Sequence, residues 1–366
     1  MILFLHNRYR SPAGEDRAVE DFLWLVREHL GEEAELLQRD SAMVGRTAAA
    51  SAMLRGGIAP GDVARAVRRT RARVVHAHNL NPTLGWRALA AARGAGARVV
   101  AHLHQYRLVC AIGVCFTAGV DCTRCHGRNT VPGILHNCRG SLGEALVYGA
   151  ALSGWQRRLV RQVDAFVVPS RFASDRLRAL GAPLHATHVV GNVIREFADC
   201  AAPVPGGHAL LAARLAPEKG IDVAIEACRL AGVPLVLAGD GPERNRLGRR
   251  SDGVRFAGRV DAAELARLRR AAGVALAPSR SAETFGLAAA ESMAAGLPVA
   301  CARVGALPEL VPEEWLVPPG DPGALAEAIG RLRGNARAGT AALERIRTLA
   351  SPDVIAPALA AVYAGL

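Results

Sequence analysis

Lysine is almost missing from this sequence. Of its 45 basic residues 44 are arginine, and the one lysine is Lys219. A bias that strong puts arginine wherever either cation serves, so the exception marks a place for a compact ammonium rather than a planar fork. Aromatic residues are scarce too, at 4%, which removes the stacking platforms of single-strand nucleic-acid binders and disfavours nucleic acid as a partner. No apolar run approaches the ~20 residues of a membrane-spanning helix. The opening Met1-Ile-Leu-Phe-Leu-His6 is too short for a secretory leader and has no basic segment before it. It reads as a first buried strand, and the expectation is a cytoplasmic protein. Cysteine is sparse outside one stretch: five of the eight fall between Cys110 and Cys138.

What is present is apolar and helix-rich: 51% hydrophobic residues, much of it alanine, in 366 residues, a length that suits two domains. The net charge of +12 is unevenly shared. Residues 1–190 hold 25 arginines against 14 acids, giving +11, whereas residues 191–366 hold 20 basic residues against 19 acids, giving +1. A basic half attracts anionic partners such as phosphates, acidic glycans or a lipid surface, the alternative being a solvated arginine-rich face. The stretches V-A-R-A-V-R-R-T-R-A-R (63–73) and W-Q-R-R-L-V-R (155–161) concentrate that charge. On helices they would grip an anionic or lipid-linked acceptor, or make peripheral contact at the inner face of a membrane.

Short apolar runs alternate with amphipathic segments throughout. Strands are expected at 1–6, 73–78, 97–103, 164–168, 187–191, 208–214, 233–238, 254–257, 273–277, 298–302 and 315–317. Helical patterns such as Arg17–His29, Asp62–Arg71, Asp222–Leu230, Ala262–Arg269 and Ala288–Ala294 lie between them. This rhythm argues for parallel βαβ units in two doubly wound α/β domains with a cleft between them. The Pro/Gly-rich F-A-D-C-A-A-P-V-P-G-G marks the break, giving domains of 1–197 and 198–350. Ser351–Leu366 reads as a C-terminal helix, a candidate to return to the first domain.

The second half carries two pairs of charged residues. In A-R-L-A-P-E-K-G, Arg214 and Lys219 straddle a strand-to-helix turn, where free N–H groups favour an anion and two cations five apart can converge on one diphosphate. Further on, Glu283 and Glu291 stand eight apart in S-A-E-T-F-G-L-A-A-A-E, with Phe285-Gly286-Leu287 offering backbone N–H groups at a helix start. One carboxylate would address a sugar near the phosphates, the other vicinal ribose hydroxyls.

These pieces, with L-A-G-D-G-P-E-R-N-R-L, F-A-G-R-V and G-A-L-P-E-L-V in the same order over residues 208–320, resemble the family-four retaining glycosyltransferases of the GT-B fold, in which two Rossmann-like parallel-sheet domains face each other across a cleft. By that resemblance Arg214 and Lys219 hold the donor diphosphate, Glu283 binds donor-sugar hydroxyls and Glu291 the ribose. Gly258-Arg259-Val260 would flank the nucleobase, and Gly239 and Gly241 would line the cleft. The resemblance extends to the first half. It singles out His104, in V-A-H-L-H-Q-Y-R-L-V-C, as a residue facing the donor sugar, with Gln105 where the family has Asp or Asn. It also makes Ala13-Gly14-Glu15 the counterpart of a Gly-Gly-Glu loop near the donor phosphate, with Gly14 the candidate and Ala13 a departure.

Four histidines sit at two strand ends, His76 and His78 in V-V-H-A-H and His102 and His104 in V-A-H-L-H. H-x-H on a strand puts both rings on one face, but no acid nearby completes a ligand set. Cys110, Cys122, Cys125 and Cys138 have the spacing of a four-thiolate metal site in a Cys-rich loop (105–140), also found in some family members. Structural zinc, reduced thiols and disulfides stand as the alternatives.

The resulting expectation is a hexosyltransferase-type enzyme moving a sugar from a nucleotide diphosphate donor, a UDP-sugar being the commonest in the family, to an acceptor hydroxyl with retention. It needs no catalytic cofactor, and glycan, glycolipid or specialised-metabolite biosynthesis would be its setting. The rivals are a nucleotide-sugar epimerase of the same fold and a non-catalytic nucleotide-sugar-binding protein. A zinc hydrolase lacks an open site with a carboxylate base.

Overall fold

A computed structural model describes residues 1–10, 14–248 and 253–366; Ala13, one of the sequence candidates, lies outside them. The chain forms two compact units. The first comprises Met1–Thr117, Cys122–Val193 and Pro352–Leu366, the second Ala118–Asp121 and Ile194–Ser351.

The first unit holds strands β1 (Ile2–Arg8), β2 (Ala34–Asp40), β3 (Val74–Ala77), β4 (Arg98–His102), the short β5 (Phe116–Thr117) of the Cys-rich loop, β7 (Ala165–Val168) and β8 (Thr187–Val189), while β6 (Val120–Asp121), the partner of β5, falls in the segment counted with the second unit. Its main sheet is parallel in the order β2-β1-β3-β4-β7-β8. The central strands are unbroken apolar runs because helices cover both faces. On one face the helix Gly14–Glu28 presents Val19, Phe22, Leu25 and Val26 at helical spacing, beside Ile355, Leu359 and Val362 of the C-terminal helix Pro352–Ala364. On the other, Val63 and Val67 of the helix Pro60–Thr70 and Leu89 of the helix Gly85–Gly94 meet Leu3, Leu5 and Val75. The sequence reading has no strand at β2. Ala-Glu-Leu-Leu-Gln-Arg-Asp favours a helix, but as an edge strand it needs only the backbone of β1 to define it.

The second unit's sheet is also parallel, in the order β11-β10-β9-β12-β13-β14. The strands are β9 (His208–Ala212), β10 (Leu235–Ala238), β11 (Val254–Gly258), β12 (Ala272–Ala277), β13 (Val299–Ala302) and β14 (Leu316–Val317). The chain winds outward from β9 to one edge, then returns to β12 and winds to the other. The neighbouring strands β9 and β12 are therefore the switch point, where crossovers leave in opposite directions and a crevice opens beyond the carboxyl ends. One contiguous apolar core fills this unit, from Leu210 and Leu237 on the sheet to Met293, Leu325 and Ile346 on its helices.

Candidate active site

The second unit gathers its sequence candidates beyond the carboxyl ends of its strands. Arg214 and Lys219 follow β9; Glu283 follows β12. Lys219 sits in a one-turn helix, Pro217–Lys219, and Gly220 then reverses the chain at φ +64° into the helix Ile221–Ala231. A Cβ on Gly220 would meet the Pro278 carbonyl at 2.1 Å, so the two loops press together here, and only glycine fits. The amides of Arg280 and Ser281 bond the Glu218 carbonyl at 2.8 and 3.3 Å, tying the loop after β12 to the loop after β9.

That seam brings Lys219 and Glu283 together. Lys219 Nζ donates to Glu283 Oε1 at 2.6 Å, and Ser279 Oγ donates to the same oxygen at 2.6 Å. Burial alone would push the Glu283 carboxyl up, but the Lys219 charge and the two hydrogen bonds outweigh it and hold it below its usual range. The carboxylate is fixed from behind as well. Gly305, at φ +63°, lies so close that a Cβ would stand 2.3 Å from the Glu283 amide nitrogen, and Ala306 N–H bonds the Glu283 carbonyl at 2.9 Å.

Arg214 and Lys219 have separate partners: Arg214 pairs with Glu218 and Lys219 with Glu283, so each cation has its own carboxylate. Glu291, midway along the helix Leu287–Ala294, is ion-paired with Arg269 at 2.5 Å, both side chains being nearly buried. Phe285 is a core residue, and Gly286 takes φ +95° where a Cβ would strike Leu307. Gly239 and Gly241 have a packing reason: a Cβ on either would fall 1.9 Å from the Ala213 carbonyl oxygen or 2.3 Å from that of Leu215. They let the loop after β10 lie directly on the backbone that carries Arg214. Gly258, at φ +72°, ends β11 and accepts from Gly239 N–H at 2.7 Å; Arg259 is exposed and Val260 half-buried beside it.

In the first unit, the register that pairs Phe4 with His76 and His76 with Val100 puts His76, His78, His102 and His104 on one face. His78 Nδ1 and His104 Nε2 are 2.8 Å apart, and His76 Nδ1 lies 2.6 Å from the Tyr363 hydroxyl of the C-terminal helix. Burial, with Phe4 and Phe22 packed against His76, His78 and His102, lowers all four imidazoles. His76 and His104 are pushed down to about 3, and His78 and His102, with histidine neighbours adding to burial, well below the usual value. Ligand atoms of His76, His78 and His102 all lie within 4.8 Å of one another, a grouping the sequence reading discounts.

Gly14 opens the helix Gly14–Glu28 and is exposed. Next to it is a polar cluster with no counterpart among the sequence candidates. Tyr9 OH donates to Glu15 Oε2 at 2.5 Å, and Gln105 Nε2 reaches Tyr9 OH at 2.8 Å and Glu15 Oε2 at 2.9 Å. The Arg107 guanidinium lies 5.3 Å from the Tyr9 ring centroid. Burial raises the Glu15 carboxyl against the lowering effects of Tyr9 and Arg107. These residues, with His104, Asn79 and Trp155, line a cavity of about 660 Å³ beyond β1 and β3, this sheet's own switch point. Gly113 shapes it: at φ +86° a Cβ would stand 2.6 Å from Arg107 Cγ. The sequence shows Gln105 only as a departure; its role as the clasp of Glu15 needs the fold.

The cysteines line a second cavity in this unit, of about 350 Å³, and all of them are free thiols. They do not form a group with ligand atoms within 4.8 Å, as the histidines do among the described residues. Cys110 is pulled down to about 6, first by a hydrogen bond from Cys115, a residue outside the expected four. The basic stretches are largely committed: Arg65 pairs with Asp62, Arg69 with Glu35 and Arg73 with Glu32, while Gln156 holds the carbonyls of Leu108 and Gly127 and Arg158 stacks on Trp86. No helix among the described residues is long and apolar enough to cross a membrane.

Residues 22–193 match the family model "Glycosyl transferase 4-like domain", and residues 206–335 match "Glycosyl transferases group 1". Over 171 residues the chain is 36% identical to the GDP-mannose-dependent alpha-(1-6)-phosphatidylinositol dimannoside mannosyltransferase of Mycobacterium tuberculosis, covering 42% of this chain and 45% of that protein. Over 166 residues it is 38% identical to the D-inositol 3-phosphate glycosyltransferase of Acidothermus cellulolyticus, covering 39% and 37%. The chain thus spans less than half the length of these curated relatives. Its fold is similar to that of sucrose-phosphate synthase from Thermosynechococcus elongatus (TM-score 0.70, 20% identity, 100% of this chain and 98% of that one). It is also similar to Anabaena HepE in complex with UDP (TM-score 0.63, 18% identity, 100% of both). The fold is GT-B, and each half matches a glycosyltransferase family model.

Proposed function

We propose that this chain, a GT-B protein whose halves each match a glycosyltransferase family model, moves a sugar from a nucleoside diphosphate sugar to an acceptor hydroxyl with retention of anomeric configuration. The observation that carries the reading is the Lys219–Glu283–Ser279 cluster at the switch point of the second unit's sheet. In it a cation and a carboxylate, each partly exposed, stand where a ligand's phosphates and sugar hydroxyls would compete for them.

In this reading the donor diphosphate takes Lys219 away from Glu283 and Arg214 away from Glu218. Two ion pairs are exchanged for two cation–phosphate contacts. The freed Glu283 carboxylate, still held by Ser279, accepts from the sugar hydroxyls. Arg269 holds the Glu291 carboxylate oriented toward the ribose. As the glycosidic bond breaks, negative charge collects on the diphosphate, where fixed cations stabilise it more in the transition state than in the ground state. The sugar passes through an oxocarbenium-like state, and the departing phosphate takes the acceptor's proton. His104, neutral and paired to His78, donates or accepts a hydrogen bond at the sugar without adding charge.

UDP and UDP-glucose, bound by the HepE structures, and GDP-mannose, in the name of the mycobacterial relative, are the donors to try first. The +11 charge of residues 1–190 suits an anionic or lipid-linked acceptor. The exposed Leu135, Leu142 and Leu146, with Arg124 and Arg128, suit contact at a membrane face. The test is release of the nucleoside diphosphate from a panel of sugar donors, with and without glycolipid and sugar-phosphate acceptors. Turnover with one base, abolished in Glu283→Gln, supports the reading. No release from any donor in a protein that is folded contradicts it.

A further inference from the structure

Three of the eight cysteines have a plain place in the second unit: Cys228 and Cys301 in its core and Cys200 at its surface. The other five surround one cavity of the first unit, together with Thr117, Arg124 and His136. The loop around that cavity is turned toward its sulfurs. The backbone amides of Ile112, Gly113 and Cys115 lie near the Cys110 sulfur, and those of Ala111 and Gly133 near that of Cys125. Gly133 has no space for a Cβ, which would stand 2.4 Å from the Ala111 Cβ and 3.6 Å from Cys125 Sγ. Cys115 itself takes φ +49°, a left-handed conformation that is strained for a residue with a side chain. Arg124 Nη1 approaches Cys122 Sγ at 3.7 Å, and the Cys138 thiol donates to Thr117 Oγ1 at 3.6 Å.

Amides aimed at sulfur are what a thiolate needs when it gives up its proton inside a protein, and they form the outer shell of thiolate metal centres. We propose that Cys110, Cys122, Cys125 and Cys138 hold one soft divalent cation, zinc by preference, with Cys115 donating to Cys110 from outside the ligand set. The two-residue spacing of Cys122 and Cys125 brings two thiolates to one ion from a single turn, and Cys110 and Cys138 close the set from either side. The ion displaces four thiol protons to solvent and draws the sulfurs in to ~2.3 Å by side-chain rotation. Four thiolates and a dication leave a net charge of −2, and Arg124, which lines the same cavity, offsets part of it. The histidine trio of this unit is the poorer host. Its ligand atoms are already close, but all are neutral and sealed from water, so a dication there has no anionic ligand to offset its desolvation. The centre staples residues 110–138, a loop with little regular structure, rather than taking part in group transfer.

The test uses the full chain purified without chelator. Atomic emission should find one zinc per chain. After stripping and reloading with cobalt, the protein should show the strong visible bands and thiolate charge transfer of tetrahedral sulfur coordination. Cys125→Ser and Cys138→Ser should lose the metal, and Cys115→Ser should keep it. Should the ligand variants fold poorly, alkylation of the native wild type followed by mass spectrometry reads the same point: the four thiols are protected until chelator is added, and Cys115 is not released with them. A chain with no zinc, no cobalt bands and all loop thiols equally reactive overturns the proposal. Metal lost in Cys115→Ser but kept in Cys122→Ser overturns the ligand assignment.

Discussion

The buried histidines make the first unit sensitive to mild acid, and the size of the effect follows from their environment. His76 and His104 are held near 3 in the folded chain and return to about 6.5 when it unfolds. A depressed folded value means that the unfolded chain takes up protons that the folded chain refuses. Stability is therefore full above pH ~6.5 and falls as the pH drops toward 3. Between pH 7 and pH 5 each such histidine costs about 1.9 kcal/mol, from 1.36 kcal/mol per pH unit once titration begins. His78 and His102 shift in the same direction. Acting in the same direction, the four make the acid-induced loss large beside the stability of about 5–15 kcal/mol typical of a domain. Glu15 works the other way: its raised carboxyl lets the folded chain take up a proton early, offsetting up to one proton of the difference. His6 is tied to Asp16 at 2.7 Å and stands apart from this count.

Three of the four tryptophans, Trp24, Trp86 and Trp155, belong to the first unit, so tryptophan fluorescence during urea unfolding reports mainly on it. The midpoint should fall steeply from pH 7 to pH 5, and proton uptake on unfolding at pH 5 should approach three to four per chain. His76→Phe should reduce that uptake by one. A midpoint that stays flat over this range, or uptake no greater than an ordinary surface histidine would give, refutes the reasoning.

Gly305→Ala puts a methyl 2.3 Å from the Glu283 amide at a left-handed φ; it should destabilise the second unit by about 2–4 kcal/mol in urea unfolding and cut donor turnover more than stability alone explains. Tyr9→Phe removes a donor from Glu15, so the Glu15 carboxyl, followed by carbon-13 NMR, should rise further, at a cost of about 1–3 kcal/mol to the fold. Arg269→Ala takes an almost fully buried cation from Glu291 and should weaken nucleoside diphosphate binding at least tenfold by calorimetry, while leaving Lys219 and Glu283 in place.

The architecture was legible because alternation of short apolar runs with amphipathic segments survives translation into strands and helices. The runs at 208–214, 273–277 and 298–302 become β9, β12 and β13 with ends shifted by at most two residues. What escaped were elements defined by partners rather than pattern, such as β2 and the two-residue strands of the Cys-rich loop. The candidate residues of the second unit were legible as types at a spacing, but their pairing was not. Sequence pairs Arg214 with Lys219 and Glu283 with Glu291. The fold pairs Lys219 with Glu283, because the switch point brings together loops 64 residues apart. Likewise Gly239 and Gly241 read as ligand-lining glycines, and the fold adds a packing reason for them that the sequence does not show. The Tyr9–Glu15–Gln105 clasp spans 96 residues and left no local signal.

The central claim is that Lys219 waits on Glu283 for a diphosphate. The most direct test is a thermal-shift panel of nucleoside diphosphates and their sugars on wild type, Lys219→Arg and Lys219→Ala. A ligand of micromolar affinity at millimolar concentration stabilises by about 4 kcal/mol, a shift of several degrees. The account predicts that one base stabilises the wild type and that both variants lose the shift, since a planar guanidinium does not reproduce the compact ammonium that meets Glu283 Oε1 beside Ser279. A wild type unmoved by any nucleotide, or a Lys219→Ala protein that shifts as far as wild type, would contradict it.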